Sequence, residues 1–403
     1  MNAEQVKHDQ APRIKLFPLY FLAFTGDFLL STMIVACSLV ADAPEWAIGL
    51  LGSAFYISYT PSAAILGRIG DRIGRRTSIM ITSTGFFCVS FLFMLGSENI
   101  LALFIGELCV GFLNGFYWPN IEAYISENAA SESEHQGNVN KFCLSWSIGY
   151  MIGPFIAPVL DDIGPLYSFM ILAILSSINI VNTAMFVPKR TARINVTKHD
   201  ESKTPNQKMD RGVILMVLVL ALSIFTYNFA RAFIVGVFPD IAKSPAYFGW
   251  TGLETGIVLF CFGAARSVTF VIQNRIKNDA LSARVVLSLL LSLCSFLFIT
   301  TQDLALFCLF FAITGVLSAL VYSMTLQSML HLPAGRGQAA GLFESGLSLG
   351  GLLSPVFSGI ALGLFRVYEA AFIMVGTVSV ITSLVALMLL ILSRKQKKTL
   401  FLV

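Results

Sequence analysis

Long unbroken apolar stretches dominate this chain, and polar residues gather in short segments between them. Runs of about 20 apolar residues, long enough to cross a hydrocarbon core of roughly 30 Å, recur twelve times. They cover approximately 14 to 41, 46 to 66, 77 to 96, 100 to 125, 142 to 160, 166 to 187, 211 to 238, 252 to 272, 284 to 300, 304 to 330, 338 to 363 and 369 to 392. Proline and glycine inside these runs do not demote them, because in a bundle neighbouring helices satisfy the backbone groups that are freed. The pattern predicts an all-α polytopic membrane protein of twelve transmembrane helices.

Composition agrees: 56% of the 403 residues are hydrophobic and only 12% are charged, about half the charge of a soluble domain. The first run is too long for the apolar core of a cleavable signal and follows a polar segment, so it reads as a mature span. If the N-terminus is cytoplasmic, the inner loops and both tails hold every one of the 27 basic residues except Lys243 and Arg366, which fall outside, and Arg231 and Arg266, which fall within spans. That bias satisfies the positive-inside rule. It predicts that both termini are cytoplasmic and explains the net charge of +4 without any nucleic-acid partner, while the short tails and loops favour a bacterial or archaeal plasma membrane.

Residues 188–210 break the apolar pattern with a run of charged and polar side chains. They divide the chain into an N-terminal tail 1–13, a six-span half 14–187, the linker, a second six-span half 211–393 and a tail 394–403. A shift of 201 to 204 residues superposes the halves: Phe142, Gly149, Gly153 and Pro154 fall on Phe343, Gly350, Ser354 and Pro355, and Gly111 to Trp118 fall on Gly315 to Tyr322. Parallel repeats of this kind are a mark of transporter folds.

Between the second and third spans lies GRIGDRIGRR, in which Gly67, Asp71, Arg72, Gly74, Arg75 and Arg76 fill every position of G-x-x-x-D-R-x-G-R-[RK]. With twelve spans, the 6+6 repeat and the middle linker, this motif resembles the major facilitator superfamily over essentially the whole chain. The resemblance implies a secondary transporter working by alternating access, with Asp71 facing the N-terminal end of the eleventh span as a charge and dipole latch. Gly149-x-x-x-Gly153-Pro154-x-x-Ala157 in the fifth span is similar to the motif of the drug/proton antiporter branch, although Ala157 and Pro158 replace its closing glycines. In the fourth span Glu107 occupies a position where that family carries arginine, which weakens a direct transfer of its arginine-assisted proton step.

Ionisable residues inside spans are costly and are functional candidates by default. Five lie well inside: Asp27, Glu107, Arg231, Arg266 and Glu344. Three acids against two arginines leave one acid without a basic partner, and Asp27, near the middle of its span, is the candidate for proton coupling, with Glu107 next. Glu107 and Arg231 lie at similar depth and are candidates for an outer gate. Arg266 and Glu344 are expected to form an ion pair, structural or functional. Glu122, near the inner end of the fourth span, reads as interfacial.

Asn114, Tyr117, Trp118, Trp146, Tyr227, Asn228 and Tyr322, with Arg231, are candidates for a solute-binding wall, in keeping with pockets that are mostly apolar with a few placed polar groups. The seven cysteines all fall in spans without C-x-x-C spacing, the four histidines all fall in loops, and no G-x-x-x-x-G-K-[ST] motif occurs. The chain is therefore expected to be no enzyme, to hold no metal or cofactor, and to draw on gradients rather than ATP. Its expected partners are a small organic solute, protons and the lipid bilayer, and it is expected to be a monomer. Proton-coupled efflux of amphipathic compounds is one reading; uptake or exchange of an organic anion, neutralised by Arg231 and Arg266, is the other.

Overall fold

A computed structural model describes residues 15–39, 43–128, 131–187, 211–273, 281–330 and 336–400. Linker 188–210 and the N-terminal tail 1–13 lie outside the described residues. The first half comprises α1 (Phe17–Ser38), α2 (Glu45–Ile73), α3 (Arg75–Leu95), α4 (Ile100–Glu127), α5 (Glu132–Asp161) and α6 (Pro165–Phe186). In the second half stand α7 (Arg211–Gly236), a short α8 (Phe238–Lys243), α9 (Gly252–Ile272), α10 (Leu281–Cys294), α11 (Leu304–Leu330), α12 (Arg336–Phe365) and α13 (Tyr368–Leu400).

Eleven of these are long and apolar enough to cross a membrane. The remaining expected span, 46–66, lies on α2, which at 29 residues is about 43 Å long. It is less apolar because Ser53, Tyr56, Tyr59 and Ser62 interrupt its hydrophobic pattern, and all four are buried between helices. The ninth span differs from its expected form: α10 stops at Cys294 and the chain continues as a 3₁₀ turn, Leu297–Thr300.

The internal repeat appears as the same contact made twice. A side chain added at Gly149 of α5 would strike the backbone of Phe24 and Phe28 in α1, and one added at Gly350 of α12 would strike the backbone of Phe225 and Phe229 in α7. Without aqueous exclusion to drive them together, membrane helices associate through close packing over small residues. Each half therefore locks its fifth long helix onto its first at a glycine.

Between halves, α2 packs on α12 and α5 on α9. We call the end of the bundle that carries residues 128, 131, 187 and 211 the linker face. At the other end, Gly49 meets Pro355 and Gly359, and Gly52 meets Gly236. These contacts close the bundle at the far face.

Candidate solute cavity between the halves

Helical spacing explains which side chains reach the space between the halves. Trp118 and Glu122 on α4, Phe142 and Trp146 on α5, and Glu344 and Leu347 on α12 stand three or four residues apart, so each pair shares one helix face. With Asp27 and Leu30 of α1, Phe55, Tyr56 and Tyr59 of α2, Tyr227, Asn228 and Arg231 of α7, and Tyr322 of α11, they enclose a cavity of about 110 Å³. Both halves supply its wall, and most of that wall is aromatic.

At its closed end Asp27 and Arg231 meet across the two halves, Oδ1 to guanidinium, at 3.9 Å. Arg231 also donates to the Tyr56 hydroxyl at 3.2 Å and to Asn228 Oδ1 at 3.4 Å, and its guanidinium lies 4.4 Å from the centre of the Tyr150 ring. Arg266 lies on the same ring at 3.9 Å and 4.9 Å from Trp146. Cation–π attraction of this kind gains strength where water is excluded. Asp27 is within Coulombic reach of both guanidiniums, which offsets their mutual repulsion.

This arrangement corrects three expectations. Asp27 is the acid that has an arginine, because α1 and α7 face each other across the cavity. Arg231 consequently does not pair with Glu107. That residue is fully buried within the first half, away from the cavity lining, with neither carboxylate oxygen hydrogen-bonded and with the Cys37 thiol and the Phe55 backbone as polar neighbours. Nor do Arg266 and Glu344 pair: Arg266 has aromatic rings and long contacts to Ser147 Oγ (3.4 Å) and the Tyr227 hydroxyl (3.5 Å) instead of a carboxylate.

Glu344 lines the cavity beside Tyr59 and faces Glu122 of the other half. Glu122 is thus a cavity residue and not an interfacial one; its one-turn spacing from Trp118 was the available signal. Trp118, Asn228, Arg231 and Tyr322 line the cavity. Asn114 is not, because its amide donates to Val110 O on its own helix at 2.9 Å. Tyr117 also leaves the wall, bonding Leu22 O at 2.7 Å.

A latch missed by sequence reasoning closes the far face. Lys243 of α8 reaches Asp161 at 2.5 Å and Asp162 at 2.7 Å, at the end of α5. The second oxygen of Asp162 accepts from Gly252 N at 2.7 Å, capping the N-terminus of α9, where a carboxylate is favoured.

In the motif loop, Gly74 adopts φ +95° and so makes the turn between α2 and α3 that a side chain would strain. Arg76 donates from Nε to Thr183 O at 3.2 Å and from its guanidinium to Ala184 O at 2.5 Å, satisfying carbonyls in the last turn of α6. Arg72 is exposed and Arg75 is partly buried. The Asp71 side chain and the surroundings of Gly67 lie outside the described residues, and the expected latch from Asp71 to the eleventh span falls with them.

The Major Facilitator Superfamily model matches residues 16–229 and again 220–400. Multidrug resistance protein 2 of Bacillus subtilis (strain 168) is 22% identical over 371 residues, 88% of this chain and 90% of that one. Tetracycline resistance protein, class D, of Salmonella ordonez is 23% identical over 226 residues, 55% of this chain, and the match spans about half of that relative's length (54%). Among solved structures, a POT family transporter in complex with a thioalcohol conjugated peptide superposes with a TM-score of 0.73 at 14% identity over 93% of this chain and 95% of that one. A D-xylose-proton symporter does so with 0.71 at 16% identity over 92% and 97%. Two successive family matches, two halves repeating one helix contact and a cavity walled by both agree, and the chain belongs to the major facilitator superfamily of transporters.

Proposed function

We propose that this protein exports small amphipathic organic compounds in exchange for protons, by alternating access between its two halves. The observation that carries this reading is the Asp27–Arg231 pair, one member from each half, at the closed end of the cavity. Its attraction holds the halves together at the far face while Asp27 is ionised. A proton on Asp27 removes that attraction, so proton occupancy changes the balance between the states open to either side. An ionisable group that links two halves in this way is a site where a gradient acts on conformation.

The aromatic wall supports an amphipathic solute, since rings provide apolar contact and a few polar groups fix orientation. The basic-residue bias supports assigning the linker face to the cytoplasm. The names of the tetracycline and multidrug resistance relatives support export. The alternative of organic-anion uptake draws less support, because Arg231 is already engaged by Asp27, Tyr56 and Asn228.

The deciding experiment is flux of fluorescent amphipathic dyes in proteoliposomes under an imposed pH gradient. Wild-type protein should move dye against the proton flow, and Asp27→Asn should lose the gradient dependence. Dye movement indifferent to the gradient, or equal gradient dependence in Asp27→Asn, would reject the coupling scheme.

A further inference from the structure

The charges on the cavity wall do not balance. Asp27, Glu122 and Glu344 line it, and Arg231 is the basic residue that lines it; Asp27 already uses that arginine. Glu122 from the first half and Glu344 from the second face each other closely enough to repel, and among the described residues neither meets a Lys or Arg. Tyr59 lies within electrostatic reach of both acids, and Tyr322 and the Cys143 thiol are the other titratable groups within reach of Glu122. Asp27, only 4% exposed, adds an oxygen on the same cavity, Oδ2, that has no hydrogen-bond partner.

The surroundings of these carboxylates are rings. Trp118 stands one turn from Glu122, Trp146 and Tyr322 lie edge to face with centroids 5.5 Å apart, and Tyr322 packs on Phe343, the neighbour of Glu344. Ring faces attract cations, most strongly when both are withdrawn from water. An anion entering the same space would meet two carboxylates and those same negative ring faces.

We infer that the transported solute is an organic cation, an amine or quaternary ammonium seated between Glu122 and Glu344 with its apolar body against Trp118, Trp146 and Tyr322. The inference rests on the export reading for the direction of movement only. It carries a further consequence: two facing acids that bind a cation also take up protons, so cation and proton compete for one place and cannot both fill it.

The test is calorimetric titration of the purified full-length chain with two ions that share an apolar body, 4-phenylbutyltrimethylammonium and 4-phenylbutanesulfonate. The ammonium keeps its charge at every pH, so any pH dependence of its binding belongs to the protein. It should bind at least about tenfold more tightly than the sulfonate, a difference of about 1.4 kcal/mol, and more weakly at pH 5 than at pH 8. Glu122→Gln and Glu344→Gln should each weaken ammonium binding about tenfold or more without weakening the sulfonate. Equal or tighter binding of the sulfonate, absence of ammonium binding at millimolar concentration, or wild-type ammonium affinity in both variants would overturn the proposal. The charge preference of the wild-type protein decides the matter even where a variant fails to fold. Because the titration uses no gradient, its failure leaves proton-coupled export standing, and loss of coupling with ammonium binding intact leaves the cation site standing.

Discussion

Asp27 on the first helix of one half stands 3.9 Å from Arg231 on the first helix of the other, and it takes the position that Asn228 takes in the second repeat, 201 residues on. The pair therefore breaks the symmetry of the two halves at one point, placing an acid where the second repeat has a neutral amide. Arg231→Gln would leave Asp27 buried without its partner, a change that costs about 3–5 kcal/mol. Asp27→Asn should cost less, because Arg231 keeps Tyr56, Asn228 and the face of Tyr150. The double variant should recover part of the loss. Thermal unfolding of the four proteins in one detergent checks this, and additive effects would mean that the two residues do not interact.

Lys243→Gln should shift the protein toward the state open at the far face, since it removes the contacts to Asp161 and Asp162 that join α8 to α5. Lys243 retains 20% side-chain exposure, so the latch is partly screened and worth about 1 kcal/mol at most, or about a fivefold change in population. Distances between spin labels on the far ends of α5 and α9 report that shift. An unchanged distance distribution would remove the latch from the gating scheme.

Two glycine substitutions should part company. Gly149→Ala adds a methyl against the α1 backbone inside one half, which burdens every conformation and should lower stability by about 1–3 kcal/mol. Gly52→Ala meets Gly236 and Pro355 of the opposite half, a contact that exists only while the far face is closed. It should alter the conformational equilibrium while leaving the unfolding midpoint near wild type. Cysteine accessibility at the far face, measured beside thermal unfolding, separates the two effects, and identical behaviour of the two variants would contradict the assignment.

Glu107→Met should fold as well as the wild type or better, because it replaces two buried oxygens that have no hydrogen bond with an apolar group of similar size. Gradient-driven flux should survive, since Glu107 stands apart from the cavity. A well-folded variant without gradient-driven flux would instead make Glu107 the proton carrier.

Much of this protein was legible along the chain. Apolar runs located the spans because crossing a bilayer demands about 20 apolar residues in succession, and the 201-residue offset anticipated that Gly149 and Gly350 would occupy equivalent crossings. Spacing also carried part of the site: Trp118, Asn228, Arg231 and Tyr322 reach the wall, and the four-residue interval from Trp118 to Glu122 was there to be read.

Partnership across helices was not legible. At about 1.5 Å per residue, position in a run fixes the depth of a side chain, which made Glu107 and Arg231 look like partners and Glu122 look interfacial. Depth says nothing of the direction in which a side chain leaves its helix relative to a neighbour, and the rotation of each helix about its axis is set by the close packing of the whole bundle. That packing turned Glu107 into the first half, Glu344 toward Tyr59 and Arg266 onto the Tyr150 ring, and it gave Arg231 to Asp27. The sequence by itself determined a membrane bundle of two repeated halves with costly charges inside; only the tertiary structure decided which charges are compensated and which remain open to a solute.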